Sequence, residues 1–163
     1  MTIRVGVVGA GFIGRDHLAA YAGWPDAEIV GVADVDPERA RAAAAPHGAA
    51  AFPDLPTMAA EARLDAISIC VPTGLHLAAV REATAAGLHI LLEKPMATSV
   101  AECDEIAGLV EAARVTLMLG FTHRFHPELV RARELITAGR LGTIGLVHDH
   151  FSFGETGPWP AWY

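Results

Sequence analysis

Three glycines near the start of the chain, in Gly9-Ala10-Gly11-Phe12-Ile13-Gly14, stand at G-x-G-x-x-G spacing. The β-branched run Ile3-Arg4-Val5-Gly6-Val7-Val8 precedes them, and a helical stretch from Ile13 to Ala22 follows. By itself the spacing is a weak signal, but between a strand and a helix each glycine has a physical task. Gly9 permits the tight turn, Gly11 lets a diphosphate approach the backbone, and Gly14 lets the helix pack closely on a sheet. Phe12 and Ile13 open the helix, where free amides and the positive helix end face an anion. The chemistry such a turn supports is the holding of a dinucleotide.

Asp34 ends the next strand-like run, Glu28-Ile29-Val30-Gly31-Val32-Ala33, twenty residues beyond Gly14. A carboxylate there accepts hydrogen bonds from adenosine ribose hydroxyls and repels a 2′-phosphate, which favours NAD over NADP. Val35 and Asp36 follow where an NADP site would carry an arginine, although Arg39 and Arg41 on the next helix keep NADP as the lesser alternative. A plain strand-end turn is the bland reading of Asp34.

Two further segments fall at the ends of strands, on the edge where such sheets bind ligands. One is Val71-Pro72-Thr73-Gly74-Leu75-His76, and the other is Glu93-Lys94-Pro95, directly after the apolar run Ile90-Leu91-Leu92. A charged pair locked by proline at the end of a buried strand suggests a site, against the alternative of a solvated turn with a surface ion pair.

The elements that would position these residues alternate along the chain. Strands are expected at 3–8, 28–33, weakly at 50–52, and at 65–71, 88–92 and 115–119, with alanine-rich helices between them. Pro37 opens one helix as a good first residue. Ser99-Val100-Ala101-Glu102 has capping-box spacing and opens another. His126-Pro127 starts a helix that Gly139 ends. Alternation of this kind predicts an α/β fold, a doubly wound parallel sheet of the Rossmann type. Beyond Gly139 the pattern changes: 142–153 reads as a strand, and the tail with Trp159, Trp162 and Tyr163 is loop-like and aromatic.

The 163 residues are 52 % apolar, enough for a sizeable core, and carry a formal net charge of -7 with the acids scattered. That balance argues against a nucleic-acid partner, whose phosphates need a basic face. Two unrelated thiols, Cys70 and Cys103, suggest a reducing compartment, and no apolar run reaches the length of a membrane span. The expected setting is soluble and cytoplasmic. The remaining histidines read plainly: His17 packs or caps on the first helix, and His47 and His89 are surface positions at element ends. His148-Asp149-His150 could face a metal from one side of a strand but lacks a third ligand, and His123 with His126 is no better, so no metal is expected.

The glycine fingerprint at Gly9 to Gly14, Asp34, the Pro72-Thr73-x-x-His76 turn, Glu93-Lys94-Pro95 and Gly120-Phe121-Thr122-His123-Arg124-Phe125-His126-Pro127 together resemble the Gfo/Idh/MocA family. Glu-Lys-Pro in this order is the most specific element. The resemblance implies hydride transfer between a nicotinamide cofactor and a CH–OH carbon of a sugar, inositol or related polyol. It implies that Lys94 lies beside the nicotinamide and takes the hydroxyl proton, a task that burial and a cationic ring would favour. By the same resemblance Glu93 contacts the nicotinamide ribose, His76 lines the cofactor or substrate side, and Arg124 reaches the rim. The Lys94–Pro95 bond is a candidate for the cis form, which would aim the lysine inward.

Residues 1–122 are then the NAD(P)-binding domain, and 123–163 a linking helix and the start of a truncated substrate domain of which only the first strand is present. The resemblance implies that the rest of that domain would carry the histidine partnering the lysine. A lone strand and an aromatic tail invite association, so a homo-oligomer is expected. The alternative function is a non-catalytic dinucleotide-binding module or partner subunit. A methyltransferase, which also uses a glycine-rich first turn, has no role for Glu93-Lys94-Pro95.

Overall fold

The computed structural model describes residues 2–150, in which strands and helices alternate. In chain order they are β1 (Ile3–Val8), α1 (Phe12–Ala22), β2 (Ala27–Ala33), α2 (Pro37–Ala44), β3 (Ala50–Phe52) and α3 (Leu55–Glu61). There follow β4 (Ala66–Ile69), α4 (His76–Ala85), β5 (His89–Leu92), α5 (Val100–Ala113), β6 (Leu117–Leu119) and α6 (Pro127–Thr137). Short polar side chains start three of the helices. Asp36 accepts from the amides of Glu38 and Arg39 with Pro37 at the first turn, and Asp54 accepts from Thr57. Ser99 accepts from Glu102, whose carboxylate returns to the amide and hydroxyl of Thr98, a capping box displaced by one residue.

All strand pairs are parallel, in the order β3-β2-β1-β4-β5-β6. The strand order reverses between β1 and β4, and ligands bind such sheets in the crevice beyond the carboxyl ends of these two strands. Helices cover both faces. Leu55, Met58, Ile67, Ile69, Val80, Ile90 and Ile106 fill one core, and Val7, Leu18, Val32 and Ala43 fill the other. This is why the central strands read as continuous apolar runs rather than alternating ones.

The expected strand at 115–119 begins two residues late, at Leu117, for a visible reason. The Val115 amide is spent on the Val110 carbonyl at the end of α5, and the Thr116 amide on the ring of His89. His89, expected to be an ordinary surface residue, therefore helps set where β6 starts.

Contacts divide the chain into two compact units, Met1–Gly120 and Phe121–Tyr163. The second contains a one-turn helix, Thr122–Phe125, and α6, which starts at Pro127 and stops before Gly139 in the left-handed region at φ 68°. Residues 142–150 form no strand, contrary to the expected strand over 142–153. A ladder needs a partner for its amides and carbonyls, and no other strand exists among the described residues of this unit. Residues 151–153 and the aromatic tail lie outside the described residues. Among those described, no helix is long and apolar enough to cross a membrane.

Candidate functional site

The glycine turn is shaped by contact on two sides and open on the third. Gly9 has φ 89°, and a Cβ there would lie 2.6 Å from the Cys70 carbonyl oxygen, because the end of β1 presses on the end of β4. A Cβ on Gly14 would lie 1.9 Å from the Gly9 carbonyl oxygen, so α1 is seated directly on the turn. A Cβ on Gly11 would meet nothing within 4 Å. The amides at the start of α1, at Phe12 and Ile13, have no capping side chain. Uncapped amides facing open space fit a diphosphate, and nothing in the turn obstructs one.

Asp34, expected as a ribose acceptor, is buried at the end of β2 and already has structural partners. Its Oδ2 accepts the Ala10 amide at 2.8 Å, and its Oδ1 accepts the Asp36 amide at 2.9 Å and Arg39 Nη1 at 3.2 Å. A carboxylate offers about four acceptor positions, so capacity for a hydroxyl remains. Arg39 also reaches Asp36, with Nη2 3.4 Å from Oδ2. The guanidinium that kept NADP in view is thus held between two carboxylates.

On the other half of the sheet, Pro72 and Thr73 lead into the one-turn helix Thr73–Leu75. His76, expected to line the cofactor or substrate side, is 1 % exposed. Its Nδ1 is 3.0 Å from the Pro95 carbonyl oxygen and 3.2 Å from that of Met96, and its Nε2 is 3.0 Å from that of Val71. The ring is a strut joining the β4–α4 turn to the turn after β5. The physical reason is periodicity: His76, Ala79, Val80, Ala83 and Thr84 form the buried stripe of α4.

The Lys94–Pro95 peptide is cis. Lys94 itself is exposed, and its amine has no hydrogen-bond or ion-pair partner among the described residues, so the expected inward, buried placement is corrected. Glu93 is more enclosed. Its Oε2 accepts the Lys94 amide at 3.1 Å, its Oε1 lies 3.1 Å from His17 Nε2, and a Cβ on Gly120 would stand 2.7 Å from that same oxygen. Arg124 belongs to the second unit, on its one-turn helix.

Sequence reasoning missed the neighbours of Glu93. His17 and Tyr21, four residues apart on α1, both reach Ser68 in β4: His17 Nδ1 is 3.1 Å and the Tyr21 hydroxyl 2.7 Å from Ser68 Oγ. Ser68 is fully buried. Burial raises the Tyr21 hydroxyl above its usual range despite the bond to Ser68, with the nearby Cys70 adding to the rise. Cys70 is pushed up to about 12, first by burial and then by the charge of Glu93. Two sequence features point to this cluster: Ser68 is the one hydroxyl in the apolar run 66–71, and His17 shares a helix face with Gly14 and Tyr21. Among the described residues, no group of three His, Cys, Asp or Glu is placed to hold a metal ion.

A family model described as an oxidoreductase family with an NAD-binding Rossmann fold, Gfo/Idh/MocA, matches residues 3–121. The chain belongs to the Gfo/Idh/MocA family. The match includes the glycine turn, Asp34, His76 and Glu93-Lys94-Pro95 but stops short of Arg124. The chain is 35 % identical over 147 residues to an inositol 2-dehydrogenase of Rhizobium meliloti, covering 90 % of this chain and 44 % of that protein. It is 38 % identical over 149 residues to an NADP-dependent D-xylose 1-dehydrogenase of Haloferax volcanii, covering 91 % and 46 %. Among solved structures it matches scyllo-inositol dehydrogenase of Lactobacillus casei with bound NAD(H) and scyllo-inositol, at TM-score 0.82 and 28 % identity over 87 % of this chain and 43 % of that one. The chain spans less than half the length of the relatives it matches.

Proposed function

We propose that this Gfo/Idh/MocA chain supplies the cofactor-binding half of an NAD-dependent dehydrogenase acting on a CH–OH group of a sugar or polyol. The observation that carries the reading is Lys94. It is an exposed amine, without a partner among the described residues, on a turn held by His76 and Glu93, after a strand of the same sheet whose β1 ends in the glycine turn. A bound nicotinamide supplies the hydride acceptor. The α1 amides and the Gly9–Gly14 turn hold the diphosphate, Asp34 accepts from the adenosine ribose, and Glu93 orients the second ribose. Lys94 takes the proton that the substrate hydroxyl gives up when its carbon is oxidised.

NAD rather than NADP follows from Asp34, whose charge opposes a 2′-phosphate, and from Arg39, whose cation is engaged by Asp34 and Asp36. The relative dependent on NADP makes this a choice to be measured. A homo-oligomer in the cytoplasm completes the reading: Phe121, Phe125, Leu129 and Ile136 of the second unit leave apolar surface exposed.

The test is calorimetric titration of the protein with NAD and NADP, joined to an absorbance assay for reduced cofactor across a panel of inositols and aldoses. NAD should bind more tightly than NADP, and Lys94→Ala should keep NAD affinity while abolishing turnover. Binding with no turnover on any substrate would instead support a non-catalytic module. Failure of folded protein to bind either dinucleotide at millimolar concentration would end the reading.

A further inference from the structure

We propose that His17 is a positioning residue: a directed chain of hydrogen bonds, Tyr21 to Ser68 to His17 to Glu93, fixes the Glu93 carboxylate and thereby presets the nicotinamide-ribose end of the cofactor site. This rests on the reading of Glu93 given above.

For a neutral His17 ring, the direction of the chain follows from counting donors. A carboxylate only accepts, so His17 Nε2 donates to Glu93 Oε1, across 3.1 Å. In the tautomer protonated at Nε2, Nδ1 is an acceptor and takes the Ser68 hydroxyl proton, across 3.1 Å. Ser68 Oγ is then free to accept from the Tyr21 hydroxyl at 2.7 Å. Each group donates once to the next, and every bond points toward Glu93. Among the described residues, no buried side-chain nitrogen or oxygen lacks a partner. With a neutral His17 ring the network is satisfied in this one sense, because reversing a link leaves two acceptors facing each other.

The location gives this chain a use beyond packing. Glu93 Oε2 holds the amide of Lys94, so fixing the carboxylate also fixes the start of the lysine turn. Gly120 leaves space for the same Glu93 Oε1, and a methyl group there would be 2.7 Å away. Glu93 is therefore confined by a donor and a bare glycine. The brace arises from α1, the helix whose first turn is seated on the Gly9–Gly14 loop. One rigid helix thus carries the diphosphate end of the site at its start and the support for Glu93 one to two turns later. A buried polar cluster serving α1 packing alone would not need to reach Glu93; Ser68 and Tyr21 would satisfy each other.

The experiment compares NAD with ADP, which lacks the nicotinamide riboside, by calorimetry on the intact chain. His17→Ala should weaken NAD by about tenfold, the loss of one hydrogen bond to a charged group, while ADP changes by less than about twofold. His17→Gln, whose amide can donate to Glu93, should restore most of the NAD affinity. Equal losses for NAD and ADP would indicate damage to α1 and overturn the proposal, as would unchanged NAD affinity. Glu93→Ala separates the two readings: if it leaves the NAD-to-ADP ratio untouched, the role of Glu93 itself is wrong. If it lowers the ratio and His17→Ala does not, the positioning role alone is wrong. Should His17→Ala fail to fold, Ser68→Ala and Tyr21→Phe remove the outer links, and an unchanged ratio in both would overturn the chain.

Discussion

Asp34 Oδ2 accepts the backbone amide of Ala10 at 2.8 Å, in a buried setting, so the residue expected to read a ribose also holds the glycine turn in shape. The same carboxylate takes the Asp36 amide and Arg39 on its other oxygen. Two turns that would each present part of a dinucleotide are thereby tied together before any ligand arrives. Affinity gained through Asp34 is in part the affinity of a turn that needs no reordering on binding.

Asp34→Ala should accordingly lower stability as well as NAD affinity. The Ala10 amide is left buried without a partner, a loss of about 1–3 kcal/mol. Asp34→Asn is no cure, because its amide NH2 would face donors at Asp36 or Arg39, or at Ala10 when flipped. Urea denaturation without cofactor measures this directly. A midpoint equal to that of the parent protein would show that Asp34 is not structural.

The three glycines of the turn should separate stability from binding. Gly14→Ala places a methyl group against the Gly9 carbonyl and Gly9→Ala against that of Cys70, both backbone atoms that cannot step aside. Each should destabilise by about 1–3 kcal/mol or more. Gly11 has φ -70° and ψ -162°, open to any residue, and its added methyl group meets empty space. Gly11→Ala should leave the melting temperature nearly unchanged yet abolish detectable NAD binding, because the methyl group enters the space a diphosphate would occupy. A Gly11→Ala protein that binds NAD normally would place the diphosphate elsewhere.

Much of this architecture is legible along the chain, for reasons that also explain the failures. The apolar runs of β1, β2, β4 and β5 mark strands covered on both faces, and the three-residue β3 is legible only weakly at Ala50–Phe52. The strand expected over 142–153 has equal local preference but no partner among the described residues, and local preference does not supply a ladder. At the candidate site, spacing finds Gly9–Gly14, Asp34 and Glu93-Lys94-Pro95, since each is a local turn signal. It gives no burial for His76, although the helical period running on to Ala79, Val80 and Ala83 points it inward. It reads His17 as packing or capping on the first helix and misses its partners, which lie 51 and 76 residues away. Such a role arises only when α1, β4 and the end of β5 are assembled.

His76 ties together segments that are otherwise separate turns, and its removal should be felt at a distance. His76→Ala opens a cavity at the start of α4 and removes the ring N–H that either the Val71 carbonyl or those of Pro95 and Met96 accept. The expected loss is about 2–4 kcal/mol from the cavity and the unpaired carbonyls together. Hydrogen exchange should rise over 93–97 as well as at the start of α4. Faster exchange confined to α4 would mean that the ring does not brace the Lys94 turn.

The buried thiol of Cys70 makes a prediction about alkaline pH. In the folded chain its pKa is pushed up to about 12 from an ordinary 9.0, chiefly by burial and further by the charge of Glu93. Between those values the unfolded chain has released a proton that the folded chain retains, so the folded state binds more protons. The associated stability is fully present below pH 9, declines as pH rises, and is lost by about pH 12. The decline is at most about 1.4 kcal/mol per pH unit. Tyr21, raised chiefly by burial, adds in the same sense above its ordinary value of 10.0. Urea midpoints measured from pH 8 to pH 11 should therefore fall, and Cys70→Ala should make the fall shallower without removing the part due to Tyr21. An identical slope in Cys70→Ala would show that the thiol ionises as easily folded as unfolded.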